Sequence, residues 1–233
     1  MKISAFAIDQ IVLGRHNVKD GRLDQVDKLV KAKKKTYVQV ELVGQDQVLE
    51  TDAIIIFPGA KTDLILKDLE FVENRLAKSP PDKEKILLER IKSVLEKEDF
   101  ISTAGLTGQE KEVICGYGLL TLKPVIIINK EELIDMNTVL LKVLSESGFI
   151  CFFTVGDKEN RAWLIKKGTS AWEAAGVIHS DIQQGFIRAE IISFTDFISS
   201  GGEAAAKQAG KMRLEQKDYI MQDADLVNFR FNK

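Results

Sequence analysis

Two short runs constrain this chain most: DAIIIFPG at 52–59 and PVIIIN at 124–129. Each is an unbroken stretch of apolar, mostly β-branched residues stopped by a turn residue. A strand with one wet face alternates apolar and polar residues, whereas a continuous run needs both faces covered, the condition of a parallel sheet between helices. KISAFAI at 2–8 has the same texture. RLDQVDKLVKA (22–32) spaces Leu23, Val26, Leu29 and Val30 as a helix does. KKKTYVQVELVG then switches to period two at Tyr37, Val38, Val40 and Leu42, predicting one strand. Strands alternating with helices predict an α/β layer. No apolar run approaches the ~18 residues of a membrane span, so no membrane partner is expected.

Between the last two strands the period becomes 3.6. In 63–79, Leu64, Leu66, Leu69, Val72 and Leu76 fall near one helix face. Pro80-Pro81 breaks that helix, and 82–98 restarts it with Asp82 as the expected N-cap, giving a helical hairpin. Its many charges read as a solvated face. Thr107 with Glu110 predicts a capping box for a short helix. Residues 131–148 form one more helix, ending at Gly148.

From Phe149 the elements shorten. FICFFTVG and RAWLIKKG predict a hairpin across Asp157–Asn160, SAWEAAGVI a helix, GFIRAEIISF a strand, GGEAAAKQAGK a small-residue helix and DYIMQDADLVNFRF the last strands. That order is the order of a β-grasp domain. The fold class expected is therefore α/β followed by α+β. Domain boundaries are set at 1–60 and 120–148 for the two halves of the α/β part, 61–119 for the helical insertion and 149–233 for the C-terminal domain.

The chain has 29% charged residues and a net charge of -2, which excludes a grossly basic nucleic-acid binder but not a local basic patch. The two cysteines, Cys115 and Cys151, form no metal or disulfide pattern; with no signal peptide they point to a reducing, cytoplasmic setting. The two histidines lie far apart. His179, at a helix end beside Ser180 and Asp181, reads as a cap or turn residue, and His16 as a loop residue. No metal site and no catalytic residue is nominated.

The blocks RAW, GVIHSD, GFIRAE, AGKMRLEQKDYI and NFRFN make the C-terminal part resemble the TGS domain of the YchF family, the Obg-like ATPases, over 149–233. The resemblance continues upstream through VKDGRLDQVDKLVKAKKKTYVQVELVG, ETDAIII and LTGQEKEVICGYGLLTLKPVIIIN. It implies a shortened member with a degenerate P-loop-NTPase-like parallel sheet, a helical hairpin insertion and a β-grasp TGS module of the kind associated with RNA and ribosomes.

Two elements that nucleotide hydrolysis requires do not stand in this sequence. A P-loop, G-x-x-x-x-G-K-[ST], wraps phosphates in backbone N–H groups and supplies a lysine and a magnesium-binding hydroxyl. After the first strand this chain runs DQIVLGRHNVKDG, and its Gly210-Lys211 is followed by Met212. The D-x-x-G turn is replaced by ELVGQDQVLETD. The resemblance leaves Asn129 and Glu132, an N-x-x-E after the 124–129 strand, as a vestigial adenine-reading pair; as plain residues they are a capping box.

The expectation is thus a non-catalytic protein with no required cofactor that binds RNA or the ribosome. The phosphate-contact candidates are Lys158, Arg161, Lys166, Lys167, Arg188, Lys211 and Arg213, with Trp163, Trp172 and Phe186 to stack on bases if exposed. Lys33-Lys34-Lys35 is a second basic spot, read as a solvated strand entry. The alternatives are a regulator that weakly binds an adenine nucleotide without hydrolysing it, and a protein-interaction module, with a homodimer covering exposed apolar surface.

Overall fold

The structure is a computed structural model and describes residues 1–232. In chain order the first elements are β1 (Lys2–Ala5), β2 (Gly14–Val18), α1 (Gly21–Leu29), β3 (Lys34–Thr36), β4 (Val38–Val43), β5 (Ala53–Ile56), α2 (Lys61–Ala77), α3 (Asp82–Leu95) and α4 (Gly108–Ile114). There follow β6 (Val125–Ile127), α5 (Met136–Glu146), β7 (Phe149–Thr154), β8 (Glu159–Lys166), α6 (Ala171–Ile178) and α7 (Ser180–Gln184). β9 (Phe186–Ile192), α8 (Phe194–Ser200), α9 (Glu203–Gln208), β10 (Arg213–Glu215) and β11 (Leu226–Phe231) complete the described chain.

The elements form a mixed α/β fold with two sheets, in two compact units. Residues 1–16 and 40–147 make the first unit; residues 17–39 join those from 148 onward in the second. The five-stranded sheet has the order β2-β4-β1-β5-β6, with β1 parallel to β4 and β5, and β5 parallel to β6. Ala53, Ile54, Ile55 and Ile56 are all fully buried, as an unbroken apolar run on a covered parallel strand requires. Phe6, Ile54, Ile56, Leu64 and Leu120 share one core.

The helical hairpin α2–α3 has a core of its own, with Ile65, Val72, Leu88, Ile91 and Leu95 closed by Ile101 and Ile114. One of the five predicted apolar residues, Leu66, points to water. In its stead the face buries Asp68, whose carboxylate accepts hydrogen bonds from the Leu120 N–H (2.8 Å), the Thr121 N–H (2.7 Å) and the Thr121 hydroxyl (2.7 Å). Burial pushes this carboxyl above the ordinary aspartate range, and its three donors pull the other way. Asp82 is the first residue of α3 rather than its cap; Pro81 precedes it with no side-chain bond. Thr107 and Glu110 form the predicted capping box.

The six-stranded sheet has the order β10-β9-β11-β7-β8-β3. β7 and β8 are the predicted antiparallel hairpin. One face packs Phe152, Ile165, Ala189, Ile191, Val227 and Phe229 against α6, whose Ala171, Ala174 and Ala175 let the helix come close. Over the sheet, α1 packs on β8 and α8, burying Leu23, Val26 and Phe197. Two polar ties fix α1. Arg22 bonds Asp20 and Asp223, and the buried Asn160 amide donates to Asp27 (2.8 Å) and the Val30 carbonyl (2.6 Å). Asp223 also accepts the Cys151 N–H at 3.0 Å, and burial, with the charges of Asp20 and Asp223, pushes the Cys151 thiol up to about 12.

The structure thus divides residues 1–60 differently from the sequence reading. The single strand expected over KKKTYVQVELVG is two: β3 runs parallel to β8, with Thr36 opposite Arg161, while β4 lies beside β1. Alternation marks both pieces as extended but says nothing about which sheet each joins.

Candidate functional site

In open parallel sheets ligands bind beyond the carboxyl ends of the strands. The loops that leave β1 and β4 line an open cleft of ≈ 490 Å³ there, walled by Ala5, Ala7, Ile8, Asp9, Ile11, Leu13, Gly44, Gln45 and Asp46. The Ser4 hydroxyl donates to the Gly44 carbonyl at 3.3 Å, joining the two loops. The Asp46 carboxylate stands 2.5 Å from the position a Cβ at Gly44 would take, folded back over the turn. The two charged residues of the wall, Asp9 and Asp46, are both exposed acids. Carboxylates in this wall oppose the approach of a phosphate rather than favouring it, to a degree that solvent and salt screen.

Asn129 and Glu132 lie just past β6. The Glu132 carboxylate accepts the Asn129 N–H at 2.7 Å and pairs with Lys142 at 3.2 Å, and these bonds hold it below the ordinary glutamate range. The capping reading of the residues is therefore realised. Among the described residues no group of three or more His, Cys, Asp or Glu gathers for a metal ion, and no helix is long and apolar enough to cross a membrane.

The basic candidates of the second unit separate into four places. Arg161 lies flat over Trp163, its guanidinium carbon 3.9 Å from the ring centroid, and the Trp163 indole N–H donates to the Thr154 hydroxyl at 2.9 Å. Lys158 is exposed just before that strand, and Lys166 and Lys167 are exposed at its far end. Arg188 falls out of phase with Ala189 and Ile191, on the opposite sheet face, where the buried Glu190 sits between it (4.0 Å) and Arg230 (2.8 Å). Lys211 pairs with Asp196, and Arg213 reaches the Tyr219 hydroxyl, Glu215 and Asp225. Phe186 is 6% exposed and packs on Phe229, so it is core and not a stacking platform; Trp172 is 40% exposed.

Both histidines are structural. His179 ends α6 and caps α7, its Nδ1 accepting the Asp181 N–H at 3.1 Å, as the sequence reading expects. His16 is not in a loop: it lies in β2, and its Nε2 donates to the Val12 carbonyl at 2.7 Å. Lys33 and Lys34 are exposed at the entry to β3, as the sequence reading expects, and the pairing of β3 with β8 brings them close to Lys158 and Arg161.

The family described as "Protein of unknown function (DUF933)", the C-terminal part of YchF GTPases, matches residues 149–232. The ribosome-binding ATPase YchF of Bacillus subtilis is 31% identical, over 73% of this chain and 64% of that protein. The chain belongs to the YchF family. The protein of the same name from Haemophilus influenzae is 34% identical with the same coverage, and that of Escherichia coli O157:H7 is 59% identical over 81 residues, 35% of this chain and 22% of that protein. The chain thus spans about 64% of the length of the first two YchF relatives. In solved form, the Schizosaccharomyces pombe YchF GTPase superimposes with a TM-score of 0.76 over 98% of this chain and 97% of that one, at 21% identity, which shows a shared fold.

Proposed function

We propose that this chain is a non-catalytic, cytoplasmic YchF-family protein that associates with the ribosome through its second unit, a β-grasp domain of the TGS type. One observation carries the reading. The cleft at the carboxyl ends of β1 and β4, where a nucleotide-hydrolysing relative needs a lysine and a nest of N–H groups, is walled by Asp9 and Asp46 and by no lysine or arginine among the described residues. Phosphate transfer is driven by positioned positive charge, and this wall carries the opposite sign. The β7–β8 hairpin, α6 and the β9–β11 pair support the β-grasp assignment. Ribosome association is carried over from the relatives, whose printed names include it.

The test is co-sedimentation with ribosomes at two salt concentrations, with and without ATP, alongside a phosphate-release assay. Salt-sensitive pelleting that ATP leaves unchanged, with no phosphate release, is the expected result. Phosphate release abolished by Asp46→Ala would overturn the non-catalytic reading. Pelleting that responds to ATP would favour the second reading, an adenine nucleotide held at Asn129 and Glu132. Absence of pelleting would direct the search to a protein partner.

A further inference from the structure

The corner where β3 meets β8 holds an unusual arrangement of charge. Thr36, Glu159, Arg161 and Trp163 share one sheet face with Lys34, because Lys34 pairs in register with Glu159 and Thr36 with Arg161. Three of the carboxylates around the corner, Asp24, Asp27 and Glu159, are already engaged; the fourth, Asp157, is exposed and makes no ion pair among the described residues. Asp24 bonds Lys35 and the Tyr37 hydroxyl. Asp27 accepts from the Asn160 amide, and Glu159 accepts from Thr36 and pairs with Lys34 at 3.0 Å. Lys33 and Lys158 are exposed and have no carboxylate within ion-pair distance among the described residues; Lys34, 68% exposed, keeps its ammonium open to water on its outer side. The Lys33 N–H donates to the Asp157 carbonyl at 3.0 Å, so the two lysine-bearing turns are held together.

Three of the four local acids are thus spent on fixing the frame, and Lys33, Lys34 and Lys158 outnumber the free Asp157, so net positive charge is left facing outward. Beside it lies Arg161, stacked on Trp163. A guanidinium backed by an indole is preorganised: one face is occupied, and the other is a planar, cationic surface on which a nucleobase can stack. Lysines supply sequence-independent phosphate contact, and a planar cation supplies base stacking. An acidic protein segment would use the lysines but would leave the stacked plane without a purpose.

We propose that the Lys33–Lys34 edge of β3, together with Lys158 and Arg161, forms one composite surface for single-stranded RNA, with the Arg161–Trp163 stack as its base platform. This deepens the ribosome-association reading, on which its biological setting rests, by assigning the contact to RNA and to a strand from the first forty residues. The remaining candidates, Lys166, Lys167, Arg188, Lys211 and Arg213, lie outside it.

The test uses the full chain and a fluorescein-labelled oligouridylate about twelve nucleotides long, with ribosome pelleting in parallel. Each phosphate contact on a single strand contributes a slope of about 0.7 in log affinity against log salt. Lys33→Gln/Lys34→Gln should therefore weaken binding about tenfold at low salt and flatten the slope by about 1.4. Lys166→Gln/Lys167→Gln, at the other end of β8, should change neither. Trp163 emission should quench on binding in the wild type and in the Trp172→Phe variant. Unchanged oligonucleotide affinity in the folded Lys33→Gln/Lys34→Gln protein overturns the proposal, as does failure of the wild type to bind the oligonucleotide. If those lysine changes leave ribosome pelleting intact, the composite surface falls while ribosome association stands. If the oligonucleotide binds as described but ribosomes do not pellet the protein, the surface stands and the ribosomal reading falls.

Discussion

The carboxyl end of the five-stranded sheet and the β3–β8 corner of the six-stranded sheet are both places where loops converge, yet their charge is wired in opposite ways. In the cleft beyond β1 and β4, Asp9 and Asp46 are exposed without a cation in the wall. At the β3–β8 corner Asp24, Asp27 and Glu159 are engaged by neighbours, Asp157 alone is free, and the cations outnumber it. The difference teaches that net charge says little about partners. A chain with a net charge of -2 can hold one surface that opposes phosphate and another that attracts it, provided most of the acids at the second are used locally.

The same contrast holds inside the units, and it can be broken by substitution. In the helical hairpin, Asp68 is held by neutral donors only. Asp68→Ala would leave two buried N–H groups and a hydroxyl without an acceptor, so a loss of about 3 kcal/mol in urea unfolding is expected. In the second unit the equivalent anchor is charged: Arg22 bridges Asp20 and Asp223 and lies over Phe153. Arg22→Ala should cost less, about 2 kcal/mol, because the side chain is one-third exposed and water takes up part of the pairing. Its distinctive signature is faster amide exchange along α1 with the β9–β11 pairing still protected. If α1 exchanges no faster in that variant, residues 17–39 are held without the Arg22 tie, by packing, the Asn160 bonds and the β3–β8 pairing.

A smaller effect is expected at the capping box of α4. Thr107→Ala removes the acceptor for the Glu110 N–H and should lower stability by about 1 kcal/mol.

How much of this was legible beforehand depended on whether a signal was local. The β-branched run at 53–56 announced a covered parallel strand, whereas the run at 125–127 is parallel but forms the sheet edge with Ile127 exposed; the β7–β8 hairpin and the α4 capping box were readable because both halves of each signal lie within a few residues. The partition of 33–43 was not, since β3's partner lies more than 120 residues further on and period two is identical in both sheets. The strand expected over 185–194 stops at Ile192, and α8, for which no element is expected, begins at Phe194, where Ser193 and Asp196 carry a cap signal that the structure realises. Leu66 and Asp68 exchanged their expected places because periodicity counts apolar residues and cannot see a buried acceptor. The family-like blocks made the C-terminal half recognisable, but they gave a list of cations, not a surface. Arg161 and Arg188 are both on strands, and only the sheet shows them on opposite faces.

The finest test of the comparison is pH. Burial raises the folded-state titration of Asp68 above its ordinary value, so the folded chain holds that proton more tightly than the unfolded one. The resulting stability is present below the ordinary aspartate range and is lost as pH rises through the folded value. Glu159 behaves oppositely. The Thr36 hydroxyl and Lys34, against a smaller effect of burial, hold it below the ordinary glutamate range. Its stability is present above that range and is lost as pH falls through the lowered value. Urea midpoints measured between about pH 3 and pH 7 should therefore respond with opposite sign. Asp68→Asn removes a term that favours the acidic end, and Glu159→Gln removes one that favours the neutral end. If both variants shift the profile the same way, the acids at the β3–β8 corner are not spent on their neighbours, and the positive surplus assigned to that corner is smaller than its geometry implies.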